Sequence, residues 1–158
     1  MKKNIHSITL NVFEKDEEKI EEILTIYHNL LHIDFQKEKL YIKQEKLEGL
    51  KENIIHSITL ETTRKRHNEL LFDSIFQNIT KQDRDTIIEQ IESRLNDEGY
   101  VFIRLEKQAL LQQQFILTDE GDCFHIKIKI AGYPAKREIF IDTFKSLLDQ
   151  YREKQEEK

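Results

Sequence analysis

The sequence predicts an α+β fold, a mostly antiparallel sheet with helices packed on one face. Three observations carry this. Segments with a two-residue apolar period and segments with a helical period do not alternate strictly along the chain. Several strand pairs have connections too short for a parallel crossover. Finally, 158 residues with one Pro, four Gly and no obvious linker read as a single domain over 1–158, ending in a charged tail from about 152.

Taken in order, residues 4–13 alternate, with Ile8, Leu10 and Val12 on one side and Ser7, Thr9 and Asn11 on the other, as in a half-buried strand. EKDEEKIEEILTIYHNLL follows, with Ile20, Ile23, Leu24, Tyr27, Leu30 and Leu31 at helical spacing and acids filling its first turns. Residues 39–46 form a weaker second strand, Gly49 breaks the pattern, and a third strand runs to about Arg64. HNELLFDSIFQNI places Leu70, Leu71, Ser74 and Ile75 on one helical face. Thr80 and Asp83 have capping-box spacing, opening a helix with Ile87, Ile88, Ile91 and Leu95 inward and Gly99 just past its end. YVFIRLE alternates as a fourth strand, KQALLQQ is a short helix or turn, QFIL a short extended piece and TDEGD a turn. CFHIKIKIA is the clearest strand, with Phe124, Ile126, Ile128 and Ile130 facing one way. Pro134, near a first helical position, opens a last helix carrying Phe140, Ile141, Phe144, Leu147, Leu148 and Tyr151.

The stretch IHSITL occurs twice, at 5–10 and 55–60, but its flanks differ. A helix follows the first copy within about five residues, whereas the second continues as strand through ETTRK. The two copies read as two strands of one sheet in similar environments, with Ile8, Leu10, Ile58 and Leu60 on the core side, and not as a duplicated unit.

Composition narrows the function. The single Cys123 excludes an intramolecular disulfide and fits a reducing cytoplasm. There is no membrane-length apolar run, and MKKN leads into no signal-peptide apolar region, so a cytoplasmic protein without a membrane role is expected. The net charge of −5 does not advertise nucleic-acid binding, but the distribution is uneven. From Cys123 to Arg137 there is no acid, while Lys127, Lys129, Lys136 and Arg137 stand there with His125; a second basic cluster is Arg64, Lys65 and Arg66.

No GxSxG, Walker loop, GxGxxG or CxxC occurs, and no Ser, His and Asp pattern of a triad, so no enzyme is expected and no cofactor is implied. His28 and His32 are four apart on the first helix, but no third ligand accompanies them and flanking histidines of an apolar stripe is the favoured reading. Asp119, Glu120 and Asp122 lack the spacing of a calcium loop and read as a solvated turn.

Period-two geometry is more informative. With Phe124, Ile126, Ile128 and Ile130 buried, His125, Lys127 and Lys129 share the opposite face; with Val101, Ile103 and Leu105 buried, Tyr100, Phe102 and Arg104 point outward. If the two strands are neighbours, aromatic rings lie among cations, chemistry that suits RNA. The alternative is a solvated or helix-covered face, with Arg104 or Arg137 simply paired to an acid such as Glu106 or Glu138.

The segments IEQIESRLNDEGYVFIRLEKQALL and FHIKIKIAGYPAKREI, with IHSITLNVF and SITLETTRKR, resemble an archaeal RNA-binding family known as exosome-subunit-like. Its RLDKQAA-like and (K/R)IKIxAYPAKRE-like motifs stand here as RLEKQAL and KIKIAGYPAKRE. Glu106 replaces the usual Asp, Gly132 an Ala, and LKENIIHS the family's Gly-rich lead into the third strand. The resemblance implies a fold similar to that of the 5S-RNA-binding ribosomal protein, no catalysis, and a place in archaeal RNA processing near exosome or RNase P proteins. It places Arg104, Lys107 and Gln108 in one motif and Lys127, Lys129, Tyr133, Lys136 and Arg137 in the other.

The expectation is therefore a non-catalytic RNA-binding protein. Lys127, Lys129, Lys136, Arg137 and Arg64–Arg66 would engage phosphates, while Arg104, Lys107 and Gln108 position the strand or a base. The partner is RNA, single-stranded or structured, with exosome or RNase P proteins implied by the resemblance and a homodimer compatible with the sequence. The competing expectation is a protein-interaction adaptor or small structural subunit, favoured by the net charge of −5 and the acidic first helix.

Overall fold

The computed structural model describes residues 4–48 and 54–156, with side chains as far as Tyr151. In chain order the elements are β1 (Ile5–Glu14), α1 (Glu17–Leu31), β2 (Ile42–Glu48), β3 (Ile54–Thr62), α2 (Lys65–Asn78), α3 (Lys81–Glu89), α4 (Ile91–Arg94), β4 (Tyr100–Glu106), α5 (Lys107–Leu111), β5 (Cys123–Ile130) and α6 (Arg137–Glu156). The strands form one five-stranded sheet in the order β2-β3-β1-β5-β4. Every neighbouring pair is antiparallel, and the short β2–β3 connection admits no other pairing, so the expected α+β class holds.

The two IHSITL copies are neighbours. Leu10 lies opposite Leu60 and Val12 opposite Ile58, which builds one apolar patch from two similar strands. Val101, Ile103, Leu105, Phe124, Ile126, Ile128 and Ile130 extend this buried face across β4 and β5. Ile23 and Tyr27 of α1, Leu71, Phe72, Ile75 and Phe76 of α2, and Phe140, Phe144 and Tyr151 of α6 join the same core cluster. Each such side chain contributes about 1.5–3 kcal/mol when fully buried. Aromatic contacts lock α2 to α6, with Phe76 and Phe144 edge to face at 6.0 Å between ring centroids. The Tyr27 hydroxyl, buried among these groups, donates to the Ile58 carbonyl at 3.0 Å.

Asp16 caps α1 by accepting from the Glu18 N–H at 2.9 Å, and Thr80 caps α3 by accepting from the Asp83 N–H at 3.1 Å. Several sequence expectations need correction. The helix expected from Thr80 breaks at Gln90 into α3 and the short α4, and Leu95, past the end of α4, bridges Val101 on β4. The third strand stops at Thr62, and Arg64 occupies the N-cap position of α2. QFIL contributes only the Leu105–Leu117 bridge. The last helix begins at Arg137, not at Pro134, since the Lys136 carbonyl is the first to accept from Ile139 and Phe140. That helix carries the backbone through 152–156 to Glu156. The expected break at Gly49 lies outside the described residues.

Candidate nucleic-acid interface

The sheet face opposite the core is exposed or half-buried along β1, β4 and β5. Register assembles it in rows. Tyr100 faces Lys129, Phe102 faces Lys127 and Arg104 faces His125; continuing into β1, Ser7, Thr9 and Asn11 stand beside Lys129, Lys127 and His125. The juxtaposition of rings and cations expected from period-two geometry is therefore formed. Neither lysine lies beneath a helix.

The Lys127 and Lys129 ammonium groups sit over the Tyr100 ring, 4.9 and 4.5 Å from its centroid. The attraction of a ring face for a cation, about 0.5–1 kcal/mol at an exposed site, favours both charges beside the ring. The Lys129 ammonium also donates to the Glu98 carbonyl. Phe102, 44% exposed, lies 6.4 Å from Tyr100 between centroids and offers its ring to solvent. Phe13 on β1 is equally open at 44%. Together these give positioned cations beside bare aromatic surface.

At the outer edge of β4 the face turns into a cleft of about 350 Å³, lined by Gln90, Ser93, Arg94, Phe102, Arg104 and Asp119. Arg94 Nε and Nη2 donate to Gln90 Oε1 at 3.0 and 2.6 Å, and Nη1 donates to the Phe102 carbonyl at 3.1 Å. Arg104 Nη1 donates to the Asp119 carbonyl at 3.0 Å. Burial pushes the Arg94 guanidinium below its ordinary range, with Asp119 pulling against the shift and Arg104 adding repulsion. Two guanidiniums thus stand near one another beside a ring. Arg94 carried no signal in the sequence, because its place depends on the break at Gln90.

The other expected residues scatter. Lys107 is buried: its ammonium lies 3.0 Å from Glu14 Oε1 and 3.0 Å from Asp122 Oδ1, and donates to the Phe13 carbonyl at 2.6 Å. The Lys107 ammonium is thus engaged within the fold. Arg137 is likewise spent within the fold, donating to the Leu95 carbonyl at 2.6 Å and the Glu92 carbonyl at 2.5 Å and pairing with Glu92 and Asp97. Its acid partners are not Glu138. Gln108, Lys136 and the almost fully exposed Tyr133 lie at the surface, off the sheet face. Arg64, Lys65 and Arg66 stand at the β3–α2 junction, separated from β5 by β1. There Glu38 gathers the charges: its carbonyl accepts from Arg64, and its carboxylate pairs with Arg66 at 2.5 Å and His67 at 2.8 Å. Lys65 and Arg66 line a groove between α2 and α6, away from the open face.

His28 packs on Phe35, 4.3 Å between centroids, and His32 ends α1 in the left-handed region at φ 50°. Among the described residues no group of three or more His, Cys, Asp or Glu is placed to hold a metal ion. No helix among them is long and apolar enough to cross a membrane.

This fold has counterparts. A DUF54 protein from Methanothermobacter thermautotrophicus superposes with a TM-score of 0.71 at 24% identity, over 92% of this chain and 98% of that one. A second, from Archaeglobus fulgidus, gives 0.74 at 22% identity, over 90% and 99%. In sequence, an RNA-binding protein of Pyrococcus abyssi is 22% identical over 144 residues, spanning 91% of this chain and 94% of the relative. The family model described as RNA binding matches residues 7–130, from within β1 to the end of β5, and the chain belongs to that family.

Proposed function

We propose that this protein binds RNA on the uncovered face of β1, β5 and β4, without catalysing a reaction on it, in the cytoplasm and alongside RNA-processing machinery of the exosome or RNase P kind. One observation carries the reading: Lys127 and Lys129 are held over Tyr100 while Phe102 stays open beside them. Ammonium groups held near fixed positions meet phosphates at reduced entropic cost, and an exposed ring takes a base face. The family description and the name of the Pyrococcus relative agree with RNA binding; the machinery rests on what the family resemblance carried by RLEKQAL and KIKIAGYPAKRE implies. Of the residues first considered, Lys127, Lys129 and Arg104 carry the contact; Arg94 and Phe102 join them, while Lys107 and Arg137 hold the fold.

The test is fluorescence anisotropy of the purified protein with labelled RNA across a salt series. With two phosphates engaged on a single strand, the log–log slope should be about −1.4, and the Lys127→Ala/Lys129→Ala variant should bring it towards zero. Absence of binding at low salt would overturn the reading. A protein-docking role would then lead, since Leu47 and Ile54 are exposed near one end of the outer β2–β3 pair.

A further inference from the structure

We infer that the RNA held on this face is single-stranded and crosses all five strands, from the cleft beside Phe102 to a second cleft beside Tyr41; this rests on the RNA-binding reading above. Tyr41 is 72% exposed and immediately precedes β2. It lines a cleft of about 600 Å³ on the open side, with Lys39, Lys43, Ser57, Thr59 and Arg64. Glu45 and Glu61 line it too, and Lys43 is paired with Glu45 at 2.7 Å. The cleft is therefore less cationic than the β5–β4 side, where Lys127 and Lys129 add to Arg94 and Arg104, and its contribution is a ring and hydroxyls for a base.

The two clefts are joined by one register row. Lys43 lies opposite Thr59, Thr59 opposite Asn11, Asn11 opposite His125 and His125 opposite Arg104. Thr59 and Asn11 in the middle of the row present polar hydroxyl and amide groups, with Asn11 Nδ2 donating to Ser57 Oγ at 2.9 Å and Thr59 Oγ1 at 2.7 Å. Phe13 stands beside it, opposite Ser57. An excess of cations at one end, hydrogen-bonding groups between, and exposed rings at both ends and the centre form a track with an orientation.

The rings decide the class of RNA. In a duplex each base face is covered by its neighbour, so Tyr41, Phe13 and Phe102 would find nothing to stack on. A duplex is gripped through phosphates across its grooves, and the cations here are weighted towards the β5–β4 side of the sheet, since Lys43 is paired with Glu45 at the other. An unpaired strand uses both the rings and the uneven charge. Four strand spacings make the track about 19 Å long. At the roughly 3.4 Å per nucleotide of a stacked strand, that accommodates up to about six nucleotides, and fewer if the bases splay.

The experiment is a length series of oligouridylates, from about two to about twelve nucleotides, with a duplex of matched length as competitor. Wild-type affinity should rise with length to about six nucleotides and then change only by the statistical factor of added sites. The duplex should compete at least about tenfold worse. Tyr41→Ala, at an exposed position where circular dichroism checks the fold, should weaken the longer oligomers by about tenfold and leave the shortest unchanged. A duplex that binds as well as the single strand overturns the assignment, as does a Tyr41→Ala variant indistinguishable at every length; in both cases RNA binding itself survives. If the wild type binds no oligomer and no duplex, the RNA-binding reading falls and this inference with it.

Discussion

Lys107 Nζ lies 3.0 Å from Glu14 Oε1, with both side chains only 7% exposed. The pair ties the end of β1 to the start of α5, and the second Glu14 oxygen accepts from the Lys15 and Asp16 N–H groups at 3.0 and 3.2 Å. Removing one member of a buried pair strands the other's charge, which typically costs about 3–5 kcal/mol. Lys107→Met should therefore lower stability by that order in chemical denaturation at neutral pH. RNA affinity of the folded fraction should stay as in the wild type. A stable variant that loses RNA binding would return Lys107 to the binding surface.

The same pair makes a pH prediction. Burial raises the Glu14 carboxyl, but the Lys107 hydrogen bond, the Asp16 N–H, the Lys107 charge and the Lys15 N–H together hold it below its ordinary value. A carboxyl depressed in the folded state contributes stability that is present above its unfolded value, about 4.3, and lost as pH falls through the folded value. In Lys107→Met the lone Glu14 is instead easier to protonate. The stability gap between wild type and variant should thus be widest at neutral pH and narrow on acidification. A gap independent of pH from 7 to about 3 would show that the lost stability comes from packing alone.

Gly99 sits at φ +93°, and a Cβ there would come within 3.0 Å of the Phe140 ring. Phe140 is a buried member of the core that cannot swing away freely. Gly99→Ala should then cost about 2 kcal/mol or more, from backbone strain and overpacking together. Gly121, which has nothing within 4 Å of its would-be Cβ, supplies the control: Gly121→Ala should change stability by no more than about 0.5 kcal/mol. Equal effects at the two positions would refute the account.

The fold was legible in the sequence where periodicity is strong. Ile8, Leu10, Ile58 and Leu60 announced their buried side and a shared sheet, but that the two IHSITL strands are neighbours is visible only in the pairing of Leu10 with Leu60. The alternation in CFHIKIKI and YVFIRLE placed Lys127, Lys129, Phe102 and Arg104 on one face before any pairing was known. Charge without geometry was less informative. Lys107 and Arg137 look alike in sequence to a phosphate-binding side chain, yet the buried Glu14 and helix-end carbonyls hold them, while the exposed Arg66 pairs with the half-buried Glu38. Arg94 was missed for the opposite reason: only the bend at Gln90 brings a helical arginine over the edge of β4. Phe13 followed the same outward parity as Asn11 and could have been found.

Arg137 tests this distinction between basic residues. Its guanidinium bridges the Leu95 and Glu92 carbonyls from the first turn of α6, closing the end of α4 where backbone acceptors lack helical partners. Hydrogen bonds from a charged donor contribute about 1.5–3 kcal/mol. Arg137→Ala should lower stability by roughly that amount, and Arg137→Lys should recover only part, because one ammonium does not reproduce the planar fork. The salt slope of RNA binding should be unchanged in both. A slope reduced by about 0.7 would instead mean that Arg137 holds a phosphate.

Phe102 separates stacking from charge. Its ring is 44% exposed on the edge strand and its carbonyl, not its ring, anchors Arg94, so substitution leaves that hydrogen bond in place. Phe102→Ala should weaken single-stranded RNA by about 1–3 kcal/mol, the usual worth of a base stacked on a ring, and Phe102→Tyr should restore most of it. Neither variant removes a cation, so both should keep the wild-type salt slope. Lys127→Ala should do the reverse, flattening the slope with a smaller loss at high salt, where phosphate contacts count least. If Phe102→Ala binds like wild type while Lys127→Ala does not, the face holds RNA by charge alone and the ring is a bystander. If the two losses are each present and add in the double variant, base and phosphate are held by separate groups on the same strand pair.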